Sequence, residues 1–207
     1  MVETKLAIDP AAHAPADAYK LLIGAIVPRP IGFISTISPE GVYNLAPFSF
    51  FNAVCSEPPV VLFASGARRP EKDTLANVRA TGEFVVNIVT EAIAEQMNLT
   101  SGDYPPEVDE FAIARLTPAA SELVKPPCVL ESPVNMECKV IQIVDVSTRP
   151  AGGSVVFGEV VRFHVDASMV QNFRIDPEKL RAIGRMGGTG YTRTRERFEM
   201  ARPRLSS

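Results

Sequence analysis

The segment Arg68-Arg-Pro-Glu-Lys72, followed by Asp-Thr-Leu-Ala-Asn77, combines the residue types that bind a phosphate group. Its three cations, Arg68, Arg69 and Lys72, come directly before a predicted helix start. Free backbone N–H groups and the helix dipole also favour an anion there. Lysine, threonine and helix N–H groups supply the charge and the short-range donors that a phosphate requires. The alternative is a solvated basic loop before an ordinary capped helix, and this motif alone leaves both interpretations open.

The polar residues of this predicted helix share one side. Asp73 and Asn77 are four residues apart, and Thr74 and Asn77 three apart, so all three can face away from the apolar stripe. Asp73 is the predicted N-cap. Its negative charge opposes a phosphate unless the side chain caps the helix or pairs with Lys72. The predicted anion site therefore depends on how Asp73 is used.

Two further segments, 29–37 and 44–52, carry polar residues where an ordinary barrel strand would carry valine. These polar residues are Arg29, Ser35, Thr36, Asn44, Ser49 and Asn52. Pro47 cannot donate to a strand ladder, so it marks an edge, a bulge or a place where a ligand replaces a neighbouring strand. Backbone groups and asparagines match the polar edge of a flat ring, and Phe48, Phe50 or Phe51 can cover its surface. Taken alone, the pattern favours a polar-faced edge strand with core phenylalanines.

A glycine-rich segment at 184–193 is the third feature. It does not match a dinucleotide-binding fingerprint, because Arg193 stands where the last glycine is required and no strand is predicted before it. The functional interpretation is an arm that closes over a ligand or a partner subunit. After Met200, a disordered basic tail that includes Arg202 and Arg204 is favoured instead.

The elements that must position these residues are mainly strands. Strand patterns cover 31–37, a strand from Tyr43, 60–64, 84–89, and a hairpin of 134–146 with 155–165. Helices are predicted over 17–23, 73–81 and 90–100. The proline-rich segment 101–127 is predicted to be a surface excursion that covers a site. The order of elements predicts one mainly β domain over 1–207, a barrel of about six strands with 185–207 as a C-terminal arm.

Composition and charge exclude several function classes. A net charge of −3 argues against nucleic acid as the main partner. No secretory signal is visible and the longest apolar run, 21–27, is far shorter than the roughly 20 residues that span a bilayer, so a cytoplasmic protein without a membrane partner is expected. Cys55, Cys128 and Cys138 lack metal-ligand or disulfide spacing. We expect reduced thiols in a core and no metal.

Four segments together resemble the flavin reductase-like, FMN-binding split-barrel family over about residues 20–200. In order, they are Arg29-Pro-Ile-Gly-Phe-Ile-Ser-Thr, Asn44-Leu-Ala-Pro-Phe-Ser-Phe-Phe, Lys72-Asp-Thr-Leu-Ala-Asn and Gly82-Glu-Phe-Val-Val-Asn87. The resemblance implies a six-stranded split β-barrel with Greek-key topology and a few peripheral helices. It also implies a homodimer with FMN, or alternatively FAD, at the subunit interface.

The resemblance further implies roles for individual residues. Ser35 and Thr36 would lie beside the flavin, and the stretch 44–52 would line the ring and the ribityl chain. Ser65, Lys72 and Thr74 would hold the phosphate, with Arg69 as a further candidate. The full set of implied cofactor-binding residues is Arg29, Ser35, Thr36, Asn44, Ala46, Pro47, Ser49, Phe50, Phe51, Asn52, Ser65, Arg69, Lys72, Asp73, Thr74 and Asn77.

The implied function is that of an NAD(P)H-dependent flavin oxidoreductase. Hydride transfer from NAD(P)H to flavin N5 would be followed by passage of electrons to free flavin, a partner oxygenase or another acceptor. No side chain stands out as an acid or base, and His164 is interpreted as a solvated surface histidine. Two alternatives remain: a non-catalytic, flavoredoxin-like FMN electron-transfer protein reduced by a partner, and a member that has lost the cofactor and serves as a binding or structural module.

Overall fold

The computed structural model describes residues 4–203 and is dominated by one antiparallel sheet. Within that range the strands are β1 Gly32–Ile37, β2 Tyr43–Phe48, β3 Phe51–Ser56, β4 Pro59–Gly66, β5 Glu83–Ile88, β6 Pro118–Ala119, β7 Cys128–Val129, β8 Val134–Ser147, β9 Gly153–Val165, β10 Val170–Gln171, β11 Arg174–Ile175, β12 Ile183–Arg185 and β13 Tyr191–Arg193. Seven of them form the main sheet in the order β2-β1-β5-β8-β9-β4-β3. The others form three small pairs, β6–β7, β10–β11 and β12–β13.

The helices are short and lie around the sheet. They are α1 Pro15–Ala25, α2 Asp73–Thr81, α3 Ala94–Leu99, α4 Glu110–Ala114 and α5 Pro177–Leu180, with 3-10 turns at Pro10–Ala12, Glu91–Ile93 and Ala167–Met169. The prediction of a helix over 73–81 is confirmed, and Gly82 ends it with a left-handed φ of 70°. The predicted helix over 90–100 is instead a 3-10 turn followed by α3. Among the described residues, no helix is long and apolar enough to cross a membrane.

Aromatic contacts fold the main sheet back on itself as a barrel. The ring of Phe63 on β4 lies 4.9 Å from that of Phe48 on β2 and 5.3 Å from that of Phe84 on β5, measured between centroids. Because β2 and β4 lie near opposite ends of the strand order, these contacts bring the two ends together. Leu75 and Val78 of α2 pack into the same buried cluster. The apolar stripe predicted for this helix therefore faces the barrel interior.

The main sheet has seven strands, whereas the sequence pattern predicts about six. The difference arises at Ser49–Phe50, where the chain bends: β2 pairs with β1 before the bend and β3 pairs with β4 after it. The predicted second strand is thus two strands at opposite edges of the sheet. A Cβ on Gly32 would lie 2.7 Å from Cδ2 of Phe51, so glycine lets β1 approach the chain just past the bend. The Greek-key topology stays a prediction.

The free cysteines differ in exposure. Cys128 and Cys138 are buried, as the sequence predicts, and burial raises the pKa of both thiols. Cys55 is exposed, so the expectation of a core thiol is wrong at this position. The physical reason is that β3 is an edge strand, with residues 52–56 open to solvent.

A buried carboxylate fixes the proline-rich excursion to the barrel. Glu137 on β8 is fully buried and accepts hydrogen bonds from the backbone N–H groups of Glu122, Leu123 and Val124 at 2.8, 2.6 and 3.0 Å. Nε2 of His164 lies 2.6 Å from Oε1 of Glu137. His164 is therefore not the solvated surface histidine that the strand pattern predicts. Burial alone would raise the pKa of Glu137, but the hydrogen bonds, first that from Glu122, bring it below its ordinary value.

Replacing this carboxylate should loosen the excursion. We expect Glu137→Gln to lower the free energy of unfolding at neutral pH by about 1–2 kcal/mol, because an amide nitrogen cannot accept a backbone N–H bond. Glu131→Gln is the control, since Glu131 also accepts from a backbone N–H group, that of Thr117, but is exposed.

The pH dependence of this effect follows from the lowered pKa of Glu137. Its contribution to stability is present above the unfolded-state pKa of about 4.3 and is lost as the pH falls through the lower folded-state pKa. Urea unfolding of the wild type and Glu137→Gln should therefore show a difference in stability at neutral pH that narrows as the pH falls below the unfolded-state pKa of about 4.3. Equal stability at neutral pH would contradict the assignment.

Candidate functional site

A cavity of about 270 Å³ lies where the start of α2 meets β2. Its other walls come from α3 and segment 100–104, from Glu110 of α4, and from Arg185 and Tyr191 of the β12–β13 hairpin. The excursion and the start of the C-terminal arm therefore complete the site. The predicted cofactor-binding residues that the cavity brings together are Asn44, Ala46, Pro47, Ser49, Lys72, Asp73 and Thr74.

The start of α2 presents free backbone donors to this cavity. Lys72 is the N-cap, and Asp73 is the first helical residue, so the predicted cap at Asp73 is wrong by one position. The first helical hydrogen bonds run from the N–H groups of Leu75 and Ala76 to the Lys72 carbonyl, at 2.9 and 3.0 Å. The N–H groups of Asp73 and Thr74 therefore lie ahead of the helix's own hydrogen bonds. Such groups are suited to an anion.

The cations at this helix start repel one another. The Lys72 ammonium lies over the Phe48 ring, 5.5 Å from its centroid. Burial lowers the pKa of Lys72, the charge of Arg68 lowers it further, and that of Asp103 partly opposes both. Arg68 itself contacts Asp103. A bound anion would offset both the burial and the repulsion of Lys72.

A chain of buried hydrogen bonds supports the wall beside Lys72. Nδ2 of Asn77 donates to the hydroxyl of Thr36 at 3.1 Å. The hydroxyls of Thr36 and Thr74 both donate to Oδ1 of Asn44, at 3.1 and 2.7 Å. Asn44 and Thr74 line the cavity, and Thr36 and Asn77 hold them from behind. Thr74 and Asn77 meet in one network, as their predicted common side requires, but Asp73 is not part of it. Both are buried together with Leu75 and Val78, so they do not face away from the apolar stripe as predicted.

Glu110, which the sequence analysis did not single out, completes this network from the excursion. One carboxylate oxygen accepts from Nδ2 of Asn44 and the other from the N–H of Leu45, both at 3.0 Å. Glu110 is only 5% exposed. Burial raises its pKa, the hydrogen bonds from Leu45 and Asn44 oppose that rise, and the charge of Asp73 adds to it. A buried carboxyl group with a raised pKa in a cavity wall is typical of a functional site.

Arg29 and Ser35 lie outside the cavity wall. Ser35 is fully buried, donates to the Pro127 carbonyl at 2.5 Å and accepts from Nδ2 of Asn87 at 3.2 Å. The side chain thus ties the excursion to β1. Arg29 is 4% exposed, and its Nε donates to the Ser49 hydroxyl at 3.3 Å. Arg29 therefore contacts a residue of the wall from behind.

The residues after Ser49 leave the cavity with the bend. Phe50 is 38% exposed at the bend, and Phe51 packs against the interior cluster. Asn52 is exposed, and its side chain accepts from the N–H of Ala53 at 2.8 Å. These three predicted site residues lead from the cavity toward the edge strand β3.

Ser65 and Arg69, the other predicted phosphate ligands, are placed differently from each other. Ser65 is 1% exposed on β4, and its hydroxyl has no hydrogen-bond partner among residues 4–203. Arg69 lines a neighbouring cavity with Glu71 and Arg79. Arg68, one residue earlier, lines both that cavity and the candidate site. The sequence shows the cluster of cations, but it does not predict which cavity each arginine side chain lines.

The C-terminal hairpin supplies the aromatic end of the cavity. The guanidinium of Arg185 stacks on the Tyr191 ring at 4.4 Å, and the Tyr191 hydroxyl lies 3.3 Å from Oδ1 of Asn98. The sequence analysis predicted that segment 184–193 closes over a ligand, but it did not name Arg185 or Tyr191 as the contacting residues. Arg204 and the rest of 204–207 lie outside the described residues.

Known proteins are similar to this chain in sequence and in fold. A family model described as "Flavin reductase like domain" matches residues 24–179. An uncharacterized protein of Aquifex aeolicus is 46% identical over 178 residues, which cover 84% of this chain and 89% of that protein. The structure of nitrilotriacetate monooxygenase component B from Bacillus cereus is 37% identical, with a TM-score of 0.92 and coverage of 96% of this chain and 100% of that one.

A second solved structure is also close. The 2-nitrobenzoate 2-nitroreductase of Pseudomonas fluorescens is 31% identical, with a TM-score of 0.88 and coverage of 96% of both chains. The matched family model spans the main sheet, α2 and the excursion, which build most of the cavity, whereas Arg185 and Tyr191 lie beyond the matched residues. The chain therefore belongs to the flavin reductase-like domain family.

Proposed function

We propose that this protein binds FMN in the candidate cavity and acts as an NAD(P)H-dependent flavin oxidoreductase. The observation that carries the proposal is that one cavity joins a cationic helix start to the polar strand segment 44–49. The phosphate would lie against Lys72, Arg68 and the free N–H groups of α2. The flavin ring and ribityl chain would run along Asn44, Ala46, Pro47 and Ser49.

The residues present fit a flavin phosphate. The two N–H groups at the start of α2 and the cations Lys72 and Arg68 beside them offer donors to an anion, although Arg68 also contacts Asp103. The Ser65 hydroxyl, which lacks a hydrogen-bond partner within residues 4–203, is buried on β4 and does not line this cavity, so it would meet the flavin only where the ligand extends beyond these walls. FAD would use the same anchor with its diphosphate, so the test below includes both flavins.

The cofactor and the residues of the cavity wall would have different roles. A bound flavin supplies the two-electron chemistry, and the chain supplies position and electrostatics. Asp73 and Thr74 would meet the ligand directly, and Thr36 and Asn77 would fix the wall behind them. Phe50, Phe51, Asn52 and Arg69 would contact the flavin only where it extends beyond this cavity.

We further propose a homodimer with the flavin at its interface. The cavity volume of about 270 Å³ is below the range of about 300–1,000 Å³ typical of ligand pockets, so a mononucleotide would extend past the walls of one chain. The bend after Ser49 leads to β3, whose free edge exposes Val54 by 48%. Exposed edge strands are normally covered or paired. A second copy seated there would cover the edge and add walls to the site.

The electron acceptor is proposed from two similar proteins. The name of the Bacillus cereus structure, a monooxygenase component B, supports an oxygenase partner. The name of the Pseudomonas fluorescens structure, a nitroreductase, supports a small aromatic acceptor, and Tyr19, Tyr104 and Tyr191 line the cavity where such a ring would stack. A non-catalytic electron-transfer protein is the alternative, and flavoredoxin of Desulfovibrio vulgaris, at 22% identity, shares the fold alone.

The proposal is tested with the purified full chain. We expect added FMN to bind and to shift its visible absorption spectrum, and light scattering to give the mass of a dimer for the loaded protein. Stopped-flow mixing of the loaded protein with NADH and with NADPH should bleach the flavin band with at least one of them. A flavin that stays oxidised with both nucleotides would contradict the reductase function and favour the non-catalytic electron-transfer protein. A protein that binds neither FMN nor FAD would overturn the function as a whole.

A further inference from the structure

We propose that Glu110 is a positioning residue that sets the hydrogen-bond polarity of the cavity wall through Asn44. In this arrangement the Thr74 hydroxyl can only accept, so it selects a ligand group that donates a hydrogen bond. The inference rests on the proposed flavin binding and assigns this hydroxyl to a ribityl hydroxyl or the ring N–H of the flavin. The flavin phosphate, which only accepts, is then left to Lys72, Arg68 and the backbone N–H groups of α2.

Glu110 fixes the orientation of the Asn44 amide. An ionised carboxylate only accepts hydrogen bonds. Both oxygens of Glu110 are engaged, one by the N–H of Leu45 and one by Asn44, each at 3.0 Å. The atom of Asn44 that faces Glu110 must therefore be the donor Nδ2. Its oxygen, Oδ1, then has to face the two threonine hydroxyls.

The orientation of Asn44 in turn fixes the hydrogens of the two threonine hydroxyls. Thr36 accepts from Nδ2 of Asn77, so its own hydrogen goes to Oδ1 of Asn44. The Thr74 hydroxyl lies 2.7 Å from the same Oδ1 of Asn44 and donates its only hydrogen to that oxygen. A hydroxyl has one donor and two acceptor sites, so only lone pairs of Thr74 are left for a ligand in the cavity. Glu110 thus controls a group that it does not touch.

Protonation of Glu110 would reverse this hydrogen-bond polarity. A protonated carboxyl group donates from one oxygen. Because the Leu45 N–H still needs an acceptor, the O–H would face Asn44, whose amide would turn and offer Nδ2 to the threonines. The Thr74 hydrogen would then point at the ligand.

Burial and the neighbouring carboxylate of Asp73 favour protonation of Glu110. Burial and the charge of Asp73 raise its pKa, against the hydrogen bonds from Leu45 and Asn44. Asp109 lies beside it in the chain and caps α4 through the N–H of Phe111. The other charged groups that line the same cavity are Arg68, Lys72, Asp103 and Arg185.

Glu110→Gln tests the inference, because glutamine reproduces the protonated state. Its amide oxygen must accept from Leu45, so its NH₂ group faces Asn44 and turns that amide. FMN is the probe, titrated by the quenching of its fluorescence in four proteins: wild type, Glu110→Gln, Thr74→Val and the double variant. We expect Glu110→Gln to weaken FMN binding about tenfold more in the wild-type background than in the Thr74→Val background, the size of one mismatched buried hydrogen bond.

A pH series on the wild type keeps the test independent of the folding of Glu110→Gln. The wild-type affinity should fall as the pH drops through the titration of Glu110, and this step should be missing from Thr74→Val. Titration of the FMN phosphate is common to both proteins. A loss on Glu110→Gln that is equal in both backgrounds would overturn the inference and leave the proposed function standing. A wild-type protein that binds no FMN would contradict both the proposed function and the proposed role of Glu110.

Discussion

Replacing Lys72 by glutamate is expected to weaken FMN binding by about 100-fold or more. The ammonium lies at the N-cap of α2, over the Phe48 ring, where burial and Arg68 already lower its pKa. Loss of a hydrogen bond to a charged group costs about 1.5–3 kcal/mol, and the new carboxylate adds repulsion of the phosphate. A total near 2.8 kcal/mol corresponds to a factor of 100 in Kd. Fluorescence titration of FMN measures it.

Two controls separate a phosphate contact from a general effect of charge. Lys5→Glu changes the net charge by the same amount at an exposed position and should leave the Kd for FMN unchanged. Riboflavin, which lacks the phosphate, should bind Lys72→Glu and the wild type with similar affinity. Unchanged FMN binding by Lys72→Glu would refute the phosphate assignment. An equal loss for FMN and riboflavin would mean that Lys72 supports the cavity rather than the phosphate.

The phosphate end of the site could be predicted because its signals are local. The cations, the helix start, the apolar stripe and the terminating Gly82 all lie within residues 68–82. Helix geometry alone then places Thr74 and Asn77 on one side, and the structure joins them through Asn44. The bend at 49–50 was harder to predict, since Pro47 marks several irregularities equally well and the pairing of β3 depends on the path of the whole barrel.

The rest of the site depends on contacts between distant parts of the chain. Glu110 lies 66 residues from Asn44, in an excursion whose sequence predicts only an irregular surface segment. Arg29 contacts the carbonyl of Met186, 157 residues away. No periodicity or motif encodes such partners. The sequence pattern therefore predicted the excursion and the arm as covers for a site, and could not name Glu110, Arg185 or Tyr191.

The second large effect is expected on stability, from Arg29→Met. The Arg29 guanidinium donates to the carbonyls of Ile23 and Ile26 at 2.7 and 2.8 Å, and to that of Met186 at 3.0 Å. Its charge also lies at the C-terminal end of α1, where the helix dipole favours a cation. Methionine fills a similar volume but leaves these carbonyls without their donor. We expect a loss of about 3–5 kcal/mol in the free energy of unfolding.

For a chain of this size, that loss corresponds to a fall of roughly 6–20 °C in melting temperature, measured by circular dichroism. Arg149→Met removes an exposed arginine from a hairpin bend and should melt near the wild type. Amide hydrogen exchange should become faster in the β12–β13 hairpin. The reason is that the backbone of Arg29 is hydrogen-bonded to that of Arg185, so loosening the segment around Arg29 would also loosen the hairpin. A variant that melts with the wild type but loses FMN affinity would instead make Arg29 a direct ligand, as the family resemblance implies. A variant that loses stability would show that Arg29 has a structural role and holds Ser49 and Arg185 in the cavity wall.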